Sequence, residues 1–184
     1  TGDNPDNTPG SPTFLSSVAA QRYDAAGVSQ GGIISISTAG SSDFERPAVA
    51  MDADGDFVVT WADYDTVGAN TVFAQRYSAL GVAAGATINV NTTPGNSGTG
   101  QTSVAMDATG DFVVTWSSYA TSSPGDDDVF ARRFSATGTP QGNDFRVNTT
   151  TPVNQRYASV TMGPTGNFVV TWTSQNGQDG AGNG

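Results

Sequence analysis

The side chains of this chain that could do chemistry are mostly carboxylates, and they come in clusters. Asp52, Asp54 and Asp56 alternate through Asp-Ala-Asp-Gly-Asp, a spacing like the start of a calcium loop. The bidentate Glu that closes such a loop is missing. The matching turns weaken the pattern, to Asp107, Thr109 and Asp111 and then to Gly163, Thr165 and Asn167. What persists is a Gly before Asp or Asn, which a tight hairpin turn needs for its positive-φ position. Asx side chains also stabilise such turns by bonding local backbone, so turn stabilisation is the first reading and calcium at the first turn the alternative. A second cluster, Asp126, Asp127 and Asp128, follows Ser-Pro-Gly. Adjacent carboxylates repel unless water or a cation screens them, so a solvated acidic loop is expected, with calcium again the alternative. Asp63 and Asp65 precede it in the corresponding loop, and Asp179 follows. Acid thus gathers along one edge in every copy of the repeat, which favours calcium between neighbouring units.

Other side chains recur in register. Arg22, Arg76 and Arg133 stand beside Tyr23, Tyr77 and Phe134. They could hold a carboxylate or sulfate, but the expected role is structural: a guanidinium over an aromatic ring, or forked onto an Asp of the adjacent sheet. Trp61, Trp116 and Trp172 could stack on sugar rings; their place at the end of an inner strand points to core instead. Asn91-Thr-Thr and Asn148-Thr-Thr fit the glycosylation acceptor pattern, at a strand end where Asn and Thr suit edge geometry in any case.

These residues sit on a repeat. VAMDADGDFVVTW (49–61), VAMDATGDFVVTW (104–116) and VTMGPTGNFVVTW (160–172) each read as a β-hairpin, an apolar strand turning through Gly into Phe-Val-Val-Thr-Trp. Phe112, Val114 and Trp116 point to one side and Val113 and Thr115 to the other. Both sides are largely apolar, which predicts a strand covered on both faces and therefore stacked sheets. A third strand is VAAQRYDAAG (18–27), VFAQRYSALG (72–81) and VFARRFSATG (129–138), closing on a Gly turn. A fourth follows as Ile34-Ser-Ile-Ser-Thr, Ile88-Asn-Val-Asn-Thr and Phe145-Arg-Val-Asn-Thr, alternating as a half-buried strand does. The tryptophan spacing makes the period one four-stranded unit, of the kind that builds solenoids and propellers. Length varies in the loop between strands two and three, Ala62 to Thr71 and Ser117 to Asp128, which marks the solvent-facing edge.

The expected architecture is all-β: tandem four-stranded antiparallel blades, β-propeller-like, about three sheets with one split between the termini. Residues 1–17 read as an extended arm or loop, and 18–184 as one repeat domain. Strands three and four lie at 18–40, full repeats at 41–95 and 96–151, and strands one and two at 152–184. Three sheets are fewer than the four to eight blades of ordinary propellers. Either the split sheet closes within one chain as a threefold body, or the open halves pair between chains, because an open strand edge must be covered.

Composition narrows the function. The 184 residues hold 23 Gly, 9 Pro and 36% hydrophobic side chains, a turn-rich all-β composition. No stretch approaches the ~20 apolar residues of a membrane-spanning helix. The chain starts at Thr1 without Met or a signal-like segment, as expected of a trimmed precursor or a fragment. Cys, His and Lys are absent, so ordinary zinc, copper and haem ligation and Ser-His-Asp or Cys-His relays are not available within the chain. A net charge of −10 opposes nucleic-acid binding. An acidic, Lys-free surface suits an extracellular setting.

The motifs FVVTW and AQRYDAAG, with a following strand that ends in Asn-Thr-Thr, resemble repeats of large secreted bacterial surface proteins with β-propeller-like blades. The resemblance covers nearly everything after residue 17. It implies an extracellular, architectural protein of filaments or surface arrays, with no catalytic residues to carry over. The expected function is therefore a structural subunit whose partners are copies of itself, joined by strand exchange, with calcium as a stabilising ion. The alternative is a lectin-like adhesion module binding surface glycans, since threefold β-prisms and β-trefoils also have twelve strands; the aligned aromatics here lie inside strands, against that reading. An enzyme is disfavoured. DATGDFVVTW resembles the Asp-box turn of sialidases, a fold feature, but their arginine triad with Tyr and Glu is not visible, and Glu45 is the only Glu.

Overall fold

The computed structural model describes residues 17–37, 46–64, 69–92, 95–96, 101–119, 126–149 and 153–175, and every regular element among them is a β-strand. In chain order these are β1 (Ala19–Tyr23), β2 (Ser29–Ser35), β3 (Ala48–Met51), β4 (Phe57–Tyr64), β5 (Ala69–Tyr77), β6 (Ile88–Asn89), β7 (Gly95–Asn96), β8 (Thr102–Met106), β9 (Phe112–Tyr119), β10 (Asp127–Phe134), β11 (Phe145–Arg146), β12 (Gln155–Met162) and β13 (Phe168–Ser174). All the pairings between these strands are antiparallel, and within each sheet they join strands adjacent in sequence, except that β7 pairs with β5. Two complete sheets, β3-β4-β5-β6 and β8-β9-β10-β11, lie between two half-sheets, β1-β2 and β12-β13. Among the described residues the half-sheets do not pair with each other.

The repeat sets the register. In one complete sheet Phe57 faces Tyr77, Thr60 faces Ala74 and Trp61 faces Phe73. In the other, Phe112 faces Phe134, Thr115 faces Ala131 and Trp116 faces Phe130. Opposed rings stack, with centroids 5.1 and 5.6 Å apart in the first sheet and 5.0 and 6.1 Å in the second. Such cross-strand aromatic pairs contribute roughly 0.5–1.5 kcal/mol each beyond the area they bury.

Alternation then distributes the FVVTW side chains between layers. Phe112, Val114 and Trp116 pack with Val58 of the preceding sheet, whereas Val113 packs with Val160 and with Phe168 and Val170 of the following half-sheet. Phe57, Val59 and Trp61 pack with Val18, Ile34 and Ile36 of the first half-sheet. The central strands are thus covered on both faces. Thr60, fully buried, bonds Thr102 between sheets, Oγ1 to Oγ1, at 2.9 Å.

Three details differ from the sequence reading. β7 is a short extra strand paired with the start of β5. The loop between strands two and three is shorter than expected, because hairpin pairing continues through polar residues to Tyr64↔Asn70 and Tyr119↔Asp127. Asp127 and Asp128 therefore lie in β10, almost wholly buried, rather than in a solvated loop. Asp65 and Asp179 fall outside the described residues.

Candidate functional site

The turn carboxylates are occupied by backbone. Asp52 Oδ1 accepts the N–H groups of Asp54 and Asp56, both at 3.0 Å, and Asp107 Oδ1 does the same for Thr109 and Asp111 at 2.8 and 3.1 Å. Asp56 and Asp111 face away from this bond set. Each accepts an N–H from the other turn of its own sheet, Ala79 or Ala136, at 2.8 Å. The carboxylates of the first hairpin turn thus tie it to the second. Among the described residues no three acidic groups come together in a way that could hold a metal ion, and the Asp52, Asp54 and Asp56 carboxylates are not gathered around one point.

Of the Asp126–Asp128 run, Asp127 and Asp128 open β10 and are divided by it. Successive residues of a strand point to opposite faces. Asp127 reaches the next layer and accepts a short hydrogen bond from Arg156 Nε of β12. Asp128 turns to its own sheet, where Asn148 Nδ2 donates to it at 2.6 Å and Arg146 Nη1 lies 3.5 Å away. At the boundary where sequence suggested a cation between units, the structure therefore places a guanidinium. Burial pushes the Asp127 carboxyl up from its ordinary pKa; Arg156 opposes the shift, and Asp126 and Asp128 reinforce it. Asp127 Oδ1 is buried without a hydrogen-bond partner among the described residues. Burial likewise raises the Tyr77 phenol.

The recurrent arginines join neighbouring sheets, through acceptors other than those expected. Arg22 Nη1 donates to Ala79 O at 2.5 Å, and Arg76 Nη1 to Thr137 O at 2.9 Å. Each guanidinium bonds a backbone carbonyl in a turn of the following sheet, not an Asp. The ring contact belongs to Arg132, 5.4 Å from the centroid of Phe134, and not to Arg133. Arg133 has no acceptor among the described residues.

Asn91 and Asn148 are buried, which leaves them poorly placed as glycosylation acceptors. Their Oδ1 atoms accept the N–H groups of Val72 and Val129, each at 2.8 Å, and Ser37 Oγ accepts that of Val18 at 2.9 Å. A side chain thus extends the short fourth strand by one rung in every copy. Trp61 and Trp116 are core; Trp172 is half-buried and donates from Nε1 to Gln155 Oε1 at 3.0 Å.

Sequence missed Arg156 because it has no counterpart at the same place in the other copies, so periodicity gave no signal. The Ser37, Asn91 and Asn148 rungs were visible as a recurrent position, but the pattern also matched a modification motif. The remaining feature is backbone: β13 is paired only to β12, and β1 only to β2, among the described residues. Comparison with known proteins finds no matching family model, no significantly similar curated protein and no significantly similar solved structure.

Proposed function

We propose that this is an extracellular structural protein whose copies join head to tail, each completing the other's split sheet, to build a filament or cell-surface array. One observation carries the reading. β12-β13 and β1-β2 are the two complementary halves of the four-stranded sheet that the chain builds twice in full. In the complete sheets the second strand, β4 or β9, is bonded along both edges; in the half-sheets the matching edges of β13 and β1 have no partner strand among the described residues. An open edge is a template for another strand, and a head-to-tail contact that does not close propagates.

The sheets are read as propeller-like blades. The support is that β8, the first strand of its sheet, contacts both β3 and β12, the first strands of the sheets on either side. The role is architectural rather than catalytic, and the acidic, Lys-free and Cys-free composition supports an extracellular setting. Calcium is not required by this reading, because one oxygen of each of Asp52 and Asp56 already accepts backbone N–H groups. Sedimentation velocity across a concentration series, with negative-stain electron microscopy, tests it. The expected result is a population of linear polymers that lengthen with concentration; a monodisperse monomer throughout would overturn the proposal.

A further inference from the structure

We infer that the junction between copies is one hybrid four-stranded sheet, with β13 of one copy antiparallel to β1 of the next, Phe168 opposite Tyr23 and Thr171 opposite Ala20. This rests on the proposed assembly and adds to it the strand, the register and the contacts. The register comes from the two complete sheets. Phe57↔Tyr77 and Phe112↔Phe134 mark one end, and Thr60↔Ala74 and Thr115↔Ala131 the middle. The repeat aligns Phe168 with Phe57 and Phe112, and Tyr23 with Tyr77 and Phe134. A slip of one residue would turn every side chain of the incoming strand to the wrong face.

Side chains that the complete sheets bury are left open at these two places. Tyr23 is 64% exposed, against 5% for Tyr77 and 0% for Phe134. Val169 is 62% exposed, against 0% for Val58 and Val113, which pack onto the following sheet. On the surface that Val169 would meet, Val49 is 63% exposed, against 7% for its counterpart Val104. That surface is concave. A cavity of about 360 Å³ lies along the free edge of β1, lined among others by Ala20, Tyr23, Val49, Met51, Phe57 and Val59. It occupies the place of the missing second strand, and its walls are apolar, as the Val169 face of β13 requires.

Polar contacts between sheets are left incomplete at the same ends. Arg22 and Arg76 each donate to a turn of the following sheet. Arg133 is the next in the series, and the following sheet's turn is the Asp24–Gly27 turn of the next copy. Asp56 and Asp111 accept the N–H groups of Ala79 and Ala136; Asn167 stands at that position in the last half-sheet and would accept from Ala25. Gly81 and Gly138 lie under the tips of Ile34 and Ile88, so close that a Cβ on either would come within 2.7 Å of an isoleucine Cδ1. Gly27 has nothing within 4 Å of the same position, and Phe145, the counterpart of those isoleucines, is 42% exposed. The open positions on the two surfaces match one another in kind and spacing. A second copy of this chain carries both sets.

The absence of native cysteine allows a direct test by cross-linking. Thr171→Cys and Ala20→Cys are made as separate variants, mixed, and oxidised mildly. Directly opposed residues of an antiparallel pair have Cα atoms roughly 4.5–5.5 Å apart, within the range a disulfide spans. The expected result is a mixed disulfide joining the two variants, with at least about tenfold less from Thr171→Cys mixed with Gln21→Cys, whose side chain leaves the opposite face. Equal yields from the two mixtures would overturn the register. Loss of the Ala20 cross-link while sedimentation still shows polymers would overturn this junction and leave the assembly reading standing. Loss of the cross-link with monomers only would remove both. As a second readout, Arg133→Ala is expected to weaken association roughly tenfold, as loss of a hydrogen bond from a charged group should; unchanged association would remove the proposed turn contact.

Discussion

Replacing Arg156 by Leu should expose how much the buried acid at Asp127 depends on its cation. Side-chain exposure is 1% for Asp127 and 30% for Arg156, whose Nε bonds Asp127 Oδ2, and Asp127 Oδ1 has no hydrogen-bond partner among the described residues. Removing one partner of a buried pair costs about 3–5 kcal/mol, because the remaining charge is stranded. Solvent at Arg156 screens part of the interaction, so about 2–3 kcal/mol is expected here. With a urea m-value of roughly 2 kcal/mol per M, the unfolding midpoint should fall by about 1 M. Removing the acid as well, with Asp127→Leu in the same chain, should restore most of the loss. The pH dependence follows from the direction of the shift. Burial already raises the folded pKa of Asp127 above its unfolded value, and losing Arg156 removes an opposing influence. A carboxyl raised in the folded state stabilises it fully below the unfolded pKa and loses that contribution as pH rises through the folded pKa. The deficit of Arg156→Leu should therefore be largest at neutral pH and shrink on acidification toward the ordinary Asp range. Urea titrations at several pH values measure it. A deficit under about 0.5 kcal/mol at neutral pH, the size of an ordinary surface substitution, or one that grows on acidification, would refute the reasoning.

Three further outcomes follow from the same geometry. Asn148→Ala should cost about 2–4 kcal/mol in chemical unfolding, since it strands both the Val129 N–H and an oxygen of Asp128; a loss typical of surface sites would contradict the rung assignment. Gly138→Ala should destabilise the dilute chain more than Gly27→Ala. Both positions have positive φ, +82° and +80°, but only Gly138 also meets a side chain, so equal losses would count against the packing described. Chelation of calcium should leave the melting temperature within about a degree, because the turn oxygens bond backbone; a fall of several degrees would assign the acidic turns to the ion.

The strands were legible because hydrophobic alternation and turn glycines act locally. FVVTW is apolar on both faces, and the structure covers both in β4 and β9. The Asp52 and Asp107 turns were legible for the same reason, each carboxylate bonding N–H groups two and four residues ahead. Asp127 and Asp128 were misread as part of a solvated loop. Their solvation depended on where the hairpin ladder stops, and ladder length is set by pairing across strands rather than by the acids themselves. Arg156 answers that buried charge from another sheet, and a contact between residues 29 apart leaves no trace in local pattern. The recurrent arginines were found by periodicity, but their acceptors were backbone carbonyls, to which any residue contributes equally.

Amide hydrogen exchange, followed by mass spectrometry across a concentration series, looks at the open edges themselves. Pairing of β13 with β1 predicts that peptides covering 18–23 and 168–174 exchange fast in dilute protein and become protected as copies associate. Peptides covering β4 and β9, bonded on both edges from the start, should be protected throughout. Association that leaves the β1 and β13 amides as fast as before, or protection of both already complete in a dilute monomer, would contradict the central claim that one copy finishes the sheet another leaves open.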